Sequence, residues 1–233
     1  MRNIRAGSGF LFRMRVAAIF IAAAVALGAA PAAHDGAPVR QDPEAIAVRA
    51  DRALAELTSL QADFVQRVVN PVLEKTEIGH GTLYYRAPGR YRIEYAYPKG
   101  DVVVDDGDWV WVYLPSSQPG QVIRQPADGS GGANPLTYLR DLRSMYDVGL
   151  MGSETISGEV SDHLGLDPSS DRAPFTRVDV WVGRETGLIR QVRTSTPDGV
   201  EKSYTFTALR RGASMPDSRF RFSPPTGVEV YDP

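Results

Sequence analysis

The sequence predicts a mainly β domain with a few helices, built on an antiparallel sheet that is closed or strongly curled. Apolar and polar residues alternate through most of the chain after Leu60, which is the period of a strand. Short segments rich in Gly, Asp and Pro separate the alternating stretches. Many short strands joined by tight turns are typical of a curled antiparallel sheet.

The first 32 residues are predicted to be a cleaved secretion signal. Four arginines precede the apolar run of residues 16–27, and Ala30 and Ala32 are the small residues that a signal peptidase reads. A membrane anchor is the alternative, but this run is shorter than the roughly 20 residues that a spanning helix needs. Residues 33–41 are predicted to be a flexible lead-in, and residues 42–233 one domain.

The charge and cysteine content exclude some classes of protein. All 28 acidic residues and 22 of the 26 basic ones lie beyond the signal, which leaves a net charge of −6. That balance disfavours nucleic acid or an anionic membrane surface as the main partner. The chain has no cysteine, so we expect a domain without disulfides, without a cysteine nucleophile and without a lipidated N-terminal cysteine.

The domain is expected to begin with an amphipathic helix. Asp42 is a favourable N-cap, Pro43 suits the first helical position and Glu44 suits the first turn. The apolar stripe that follows at helical spacing consists of Ile46, Ala50, Ala53, Leu54 and Leu57.

The strands follow with a period of two. Examples of the alternating apolar sets are Tyr91, Ile93 and Tyr95, then Val178, Val180 and Val182, then Tyr204 and Phe206. Turn signals between strands include Asp106-Gly107 and Asp198-Gly199. We expect these segments to pair in antiparallel fashion within one sheet.

A second helix is predicted within the β region. Residues 126–133 form a Gly/Ser-rich loop, and Asn134-Pro135 then favours a helix over residues 136–143. Leu136, Leu139 and Leu142 give that helix an apolar face. From the residues alone, it is either a lid over a cavity or a plug in the core.

No pattern typical of an enzyme is present. None of the three histidines has a second ligand at metal-binding spacing, and no nucleophile elbow or phosphate loop occurs. We therefore expect no metal, no cofactor and no catalytic residue. A hydrolase hidden in a β-barrel, with carboxylates from distant positions, is the alternative class.

Aromatic residues are concentrated in three successive predicted strands. In the segment from Trp109 to Leu114, both faces of the strand are apolar. Such a strand must bury both faces, or expose one in a cavity or an interaction surface.

Several of these segments together resemble the outer-membrane lipoprotein carrier proteins (LolA) of Gram-negative bacteria. The similarity extends from about Ala50 to Tyr231, and the C-terminal piece is the most specific. The segments that carry it, in chain order, are Asp63-Phe64-Val65-Gln66, Gly79-His80-Gly81-Thr82-Leu83, Pro88-Gly89-Arg90-Tyr91, Asp106-Gly107, Trp111-Val112-Tyr113, Asn134-Pro135-Leu136, Gly187-Leu188-Ile189, and Phe220-Arg221-Phe222-Ser223-Pro224-Pro225.

The resemblance implies an unclosed antiparallel β-barrel of about eleven strands, covered by lid helices around a hydrophobic cavity. It implies a monomeric periplasmic protein that is not an enzyme. Such carriers bind the acyl chains of lipoproteins received from an inner-membrane ABC transporter and deliver them to an outer-membrane acceptor. A lipid-binding or lipoprotein-sensing module on the same fold is the alternative function.

Strand alternation together with the resemblance selects candidate lipid-binding residues. Val110 and Val112 are expected to point inward in a strand whose orientation the sequence leaves open, and each candidate is alternatively permanent core. The candidates are Phe64, Leu83, Tyr85, Tyr91, Ile93, Tyr95, Val110 and Val112 from the sheet, and Leu136, Leu139 and Leu142 from the lid.

The chain departs from the family at one position. Family members commonly carry a basic residue directly before the proline that matches Pro88, where it latches the lid, and this chain has Ala87. Alternation directs the adjacent Arg86 to the opposite face. The latch is therefore absent, moved to Arg140 or Arg143, or replaced by apolar packing, and we favour packing as the hypothesis.

Overall fold

The computed structural model describes residues 42–127, 146–168 and 175–232. These residues contain one α-helix, α1 (Pro43–Ala55), and a single 3-10 turn, Asp217–Phe220. Their twelve strands are β1 (Ser59–Asn70), β2 (Lys75–Arg86), β3 (Arg90–Tyr97), β4 (Val102–Asp105), β5 (Trp109–Tyr113), β6 (Gln121–Pro126), β7 (Tyr146–Ile156), β8 (Glu159–Pro168), β9 (Arg177–Gly183), β10 (Ile189–Ser195), β11 (Glu201–Arg211) and β12 (Glu229–Tyr231).

All twelve strands form one sheet that does not close. The order across it is β12-β6-β5-β4-β3-β2-β1-β11-β10-β9-β8-β7, and within the described residues β12 and β7 are its two free edges. Neighbouring strands are antiparallel, except that β12 adds to β6 in parallel. The unclosed antiparallel architecture is confirmed, and β12 adds one strand to the expected count of about eleven.

Helix α1 begins where its sequence predicts. The Asp42 carboxylate accepts a hydrogen bond from the backbone N–H of Glu44 at 3.0 Å, and Pro43 occupies the first turn. One hydrophobic core joins the inner face of the sheet to the apolar side of α1, which carries Ile46 and the small residues Ala47, Ala50 and Ala53. Small residues suit this face because they let the helix axis approach the strands closely.

A buried ion pair anchors α1 to the sheet. Asp162 on β8 is fully buried, and its carboxylate accepts hydrogen bonds from Arg49 of α1 at 2.8 Å and from Arg184 at 2.7 Å. Close by, Gly187 has a φ of +67°, and a Cβ atom there would lie 3.0 Å from the Cβ of Ala53. The turn between β9 and β10 therefore needs glycine both for its backbone and for contact with α1.

The C-terminal segment covers part of the outer face. The ring of Phe222 packs 5.6 Å from that of Trp111 and 5.9 Å from that of Tyr113, between ring centroids. Phe220 is buried beneath the guanidinium of Arg86, whose Cζ lies 4.7 Å from its ring centroid. These contacts explain why β5 is apolar on both faces, since one face meets the core and the other meets this segment.

The outer face of β9 departs from the simple alternation. Val178, Val180 and Val182 are inward, as expected, but the outward Asp179 and Trp181 are also buried, at 1% and 3% exposure. The Trp181 ring stacks on His163 with 4.2 Å between centroids. Cross-strand stacking, rather than a covering element, removes much of this face from water.

Asp179 holds its charge within that stack. Burial opposes ionisation, but hydrogen bonds from His163, Arg193 and Arg177 outweigh it, so the pKa of the Asp179 carboxyl lies below its ordinary value. One carboxylate thereby joins β8, β9 and β10.

Removing the buried carboxylate of Asp162 is expected to destabilise the fold strongly. Asp162→Ala removes the buried carboxylate that binds Arg49 and Arg184, and we expect the free energy of unfolding to fall by roughly 3 kcal/mol. The control is Glu56→Ala, which breaks the exposed pair with Arg52 and should leave stability nearly unchanged. Urea unfolding followed by circular dichroism measures both, and equal losses would contradict the anchoring role.

Candidate functional site

An apolar cleft lies between α1 and the inner face of the sheet. Its volume is about 30 Å³, well below the roughly 150 Å³ of an engineered apolar cavity that binds benzene. The residues that line it are Ala50, Leu54, Leu57, Leu60, Leu83, Tyr85, Gly187, Leu188, Ile189, Phe206 and Leu209. The cleft is therefore a tight apolar seam in the state described.

The cleft continues into a wider recess at its mouth. Leu54, Leu57 and Tyr85 line both spaces, and the recess has a volume of about 340 Å³. Asp51, Ala55, Ala87 and Pro88 complete its wall. The inner seam is thus reached from solvent past the C-terminal half of α1.

The candidate residues from the sheet share the core next to this cleft. Leu83 and Tyr85 line it directly, and the cross-strand pairs Leu83–Ile93 and Tyr85–Tyr91 put β2 and β3 side chains on one face. Phe64, Tyr91, Ile93 and Val110 are buried in the same core, and Tyr95 and Val112 pack against it. Whether they line a lipid cavity stays a prediction, and Leu136, Leu139 and Leu142 lie outside the described residues.

The orientation of β5, which the sequence left open, is settled. Val110 is buried in the core at 5% exposure, whereas Trp109 and Trp111 lie on the outer face. There the guanidinium of Arg124 lies over both indole rings, 4.4 Å and 5.6 Å from their centroids. A cation–π contact on the outside accounts for the two tryptophans without placing them in the cavity.

Of the residues that line the cleft, only Leu83 and Tyr85 were among the predicted lipid-binding residues. Phe206 and Leu209 come from β11, which the fold brings beside β1 although they are far apart in the chain. Leu188 and Ile189 come from the start of β10 and the turn before it. The alternation of Tyr204 and Phe206 was the available signal, but it shows which face is apolar and not which strand lies under α1.

Two buried tyrosines lie at one end of the core. The hydroxyls of Tyr95 and Tyr204 are 3.4 Å apart, and the Gln66 side chain donates a hydrogen bond to the Tyr204 hydroxyl at 2.8 Å. Burial raises the pKa of Tyr204 to about 12 and that of Tyr95 further still. Both hydroxyls therefore stay neutral at any physiological pH, and this end of the core carries no charge.

The structure shows where the position that commonly carries the family's latch residue lies. Ala87 forms part of the rim of the recess, while Arg86 points to the outer face and pairs with Asp217 at 2.8 Å. Among the described residues that line the cleft and the recess, none is basic. Arg140 and Arg143 lie outside the described residues.

Comparison with protein families assigns the chain. Residues 55–223 match the family described as outer membrane lipoprotein carrier protein LolA. The chain belongs to this family. It is 28% identical to the outer-membrane lipoprotein carrier protein of Chromobacterium violaceum over 74% of this chain and 80% of that protein. The protein of the same description from Haemophilus influenzae strain Rd is 28% identical over 77% and 83% of the two chains.

Solved structures support the fold of this family member. A conserved protein from Thermus thermophilus is similar with a TM-score of 0.54 at 16% identity, covering 82% of this chain and 98% of that one. MucB is similar with a TM-score of 0.52 at 20% identity, covering 78% of this chain and 63% of that one. At these identities the similarity shows the fold alone.

Neither a metal-binding cluster nor a membrane-spanning helix occurs in the described part of the chain. In residues 42–127, 146–168 and 175–232, no group of three or more histidine or acidic side chains is placed to hold a metal ion. The helix in the same part of the chain is too short and too polar to cross a membrane.

Alkaline pH is expected to destabilise the fold through Tyr204. Its pKa is about 12 in the folded state and about 10 in an unfolded chain. Between these values the folded state retains a proton that the unfolded state has lost, so the free energy of unfolding falls by up to about 1.4 kcal/mol per pH unit. Tyr204→Phe should make that fall shallower.

Urea titrations at intervals from pH 9 to 12 test this expectation. Tyr97→Phe, which removes an exposed hydroxyl, is the matched control. An identical pH dependence in wild type and Tyr204→Phe would show that Tyr204 contributes nothing to it.

Proposed function

We propose that this protein is a periplasmic carrier that binds the acyl chains of lipoproteins released from the inner membrane and delivers them to the outer membrane. The observation that carries the proposal is the apolar seam under α1, which opens into a recess, in a chain of the lipoprotein carrier family. The predicted signal, residues 1–32, supports export to the periplasm.

The chemistry of the cleft suits an acyl chain. Each CH₂ group moved from water into an apolar site contributes about 0.8 kcal/mol, so a lipoprotein needs its chains shielded to cross an aqueous compartment. Apart from the Tyr85 hydroxyl, every side chain that lines the seam in the described part of the chain is a hydrocarbon. Such a lining binds chains of different length without a specific polar partner.

Acyl chains require the seam to widen. A volume of about 30 Å³ is too small for a long chain, so α1 must separate from β2 and β11 during loading. The Arg49–Asp162 pair holds the helix to β8, whereas Leu54 near the end of α1 and Leu57 just after it bring apolar side chains to the mouth. We propose that α1 pivots about the ion pair and opens at its C-terminal half.

The partners follow from the same function. We propose that the protein receives lipoproteins from an inner-membrane ABC transporter and passes them to an outer-membrane acceptor, acting as a monomer and not as an enzyme. Closure relies on apolar packing, because the rim position that the family commonly fills with a basic residue is Ala87. The residues predicted to contact cargo are the eight sheet candidates and the three lid leucines.

Lipoprotein release tests the proposal with two variants of one helix. Mature protein is added to inner-membrane vesicles that contain the transporter and ATP, and lipoproteins are sought in the soluble fraction. Leu54→Asp puts a charge into the mouth and should reduce soluble complex at least tenfold. Val48→Asp, on the exposed side of α1 at 44% exposure, is the matched control and should release lipoproteins normally.

Each outcome distinguishes the functions. Soluble one-to-one complexes with wild type and Val48→Asp, but not with Leu54→Asp, support the carrier. Binding of a fluorescent fatty acid without lipoprotein release points to a lipid-binding or sensing module on the same fold. Absence of both excludes the proposal, provided that circular dichroism shows each variant to be folded.

A further inference from the structure

The hairpin formed by β1 and β2 extends beyond its neighbours. Residues 75–79 of β2 pair with β1, but pairing with β3 begins only at His80 opposite Tyr97. At about 3.4 Å per residue, this leaves about 17 Å of β2 without β3 beside it. The turn at residues 71–74 also lies past Val69 opposite Glu201, the last pair of β1 with β11. The hairpin tip is therefore a protrusion.

The tip carries the two most exposed large apolar side chains in the described residues. Val72 is 75% and Leu73 is 68% exposed, and no polar residue separates them. The turn is ordered, since the Leu73 N–H donates to the Asn70 side chain at 3.0 Å and Gly199 of the adjacent turn lies against Pro71. The fold thus holds two aliphatic side chains in water with no cover among the described residues.

More apolar surface continues from the tip along the outer face. Val65, Ile78 and Tyr97 are 46%, 56% and 60% exposed, and lie opposite the face that contributes Phe64 to the core. Five of the eleven exposed large apolar side chains of the described residues are therefore at this end of the sheet. Such clustering marks a contact surface rather than scattered exposure.

The charges around the tip balance. Lys75 pairs with Glu77 at 2.5 Å. The other exposed charges near the tip also balance, with Arg67, Lys99 and Lys202 matched by Glu74, Asp198 and Glu201. A neutral tip on an acidic protein suits a surface without net charge, because an anionic surface would repel the rest of the molecule. Tyrosine and basic residues behind an aliphatic tip are also the residue types favoured at a lipid–water interface.

We propose that the tip, Val72 and Leu73, inserts into the interface of a zwitterionic phospholipid bilayer, with Tyr97 and Arg67 at the headgroup level. A convex turn with two adjacent aliphatic side chains buries them readily in a deformable interface, whereas a flat protein surface offers them no pocket. The part of the inference that concerns delivery rests on the proposed function: contact at the tip lets bound acyl chains pass directly into a membrane.

Vesicle flotation with the mature protein tests membrane contact. Phosphatidylcholine vesicles should carry wild-type protein upward, and the double variant Val72→Asn, Leu73→Asn should bind about tenfold more weakly. The matched control is Leu150→Asn, Met151→Asn on β7, which removes two other exposed apolar side chains and should bind within about twofold of wild type. Binding should persist in high salt, since the contact is apolar.

Transfer of a fluorescent fatty acid from protein to protein-free vesicles tests delivery. The tip variant should bind the fatty acid with wild-type affinity and transfer it at least about fivefold more slowly. Equal flotation of wild type and the tip variant overturns the inference. It is also overturned if the tip variant binds more weakly than wild type only to membranes that contain the transporter, because the tip would then contact a protein and not the lipid. If wild type floats but binds no fatty acid, the proposed function fails while membrane contact stands.

Discussion

The apolar inner face of an unclosed sheet is the constraint on which the rest of the structure depends. A closed barrel buries its inner face by its own curvature, but a sheet with two free edges must cover that face with another element. Here α1 provides the cover through small side chains such as Ala47 and Ala50, which approach the strands closely. Whatever the protein binds in this seam must first displace part of that helix.

The attachment of α1 is uneven along its length, and this asymmetry suits a cover that opens. Arg49 in the middle of the helix is held by a fully buried carboxylate, whose loss would leave charge in the core. Leu54 and Leu57, further along, make contacts that an acyl chain can replace with equivalent ones. A polar anchor thus fixes the position of the helix, while an exchangeable apolar contact closes the cleft.

Local patterns were sufficient to predict much of the fold, because they depend on neighbouring residues. The Asp42 cap, the Asp106-Gly107 turn and the shared face of Leu83 and Ile93 all follow from short-range spacing. The pairing of β1 with β11 and the packing of Phe222 on the outer face do not, since both join distant parts of the chain. For this reason the predicted site includes Leu83 and Tyr85 of β2, and lacks Phe206 and Leu209 of β11.

The tightness of the seam sets the balance between binding and release. Because α1 and the sheet bury each other's apolar side chains, cargo in the proposed carrier gains only the difference between two apolar contacts and not the full transfer from water. A wide preformed cavity would bind acyl chains more strongly but would retain them at their destination. In the proposed function, Ala87 supplies no charged latch at the rim, and this competition regulates release, since closing the seam favours expulsion of the chain.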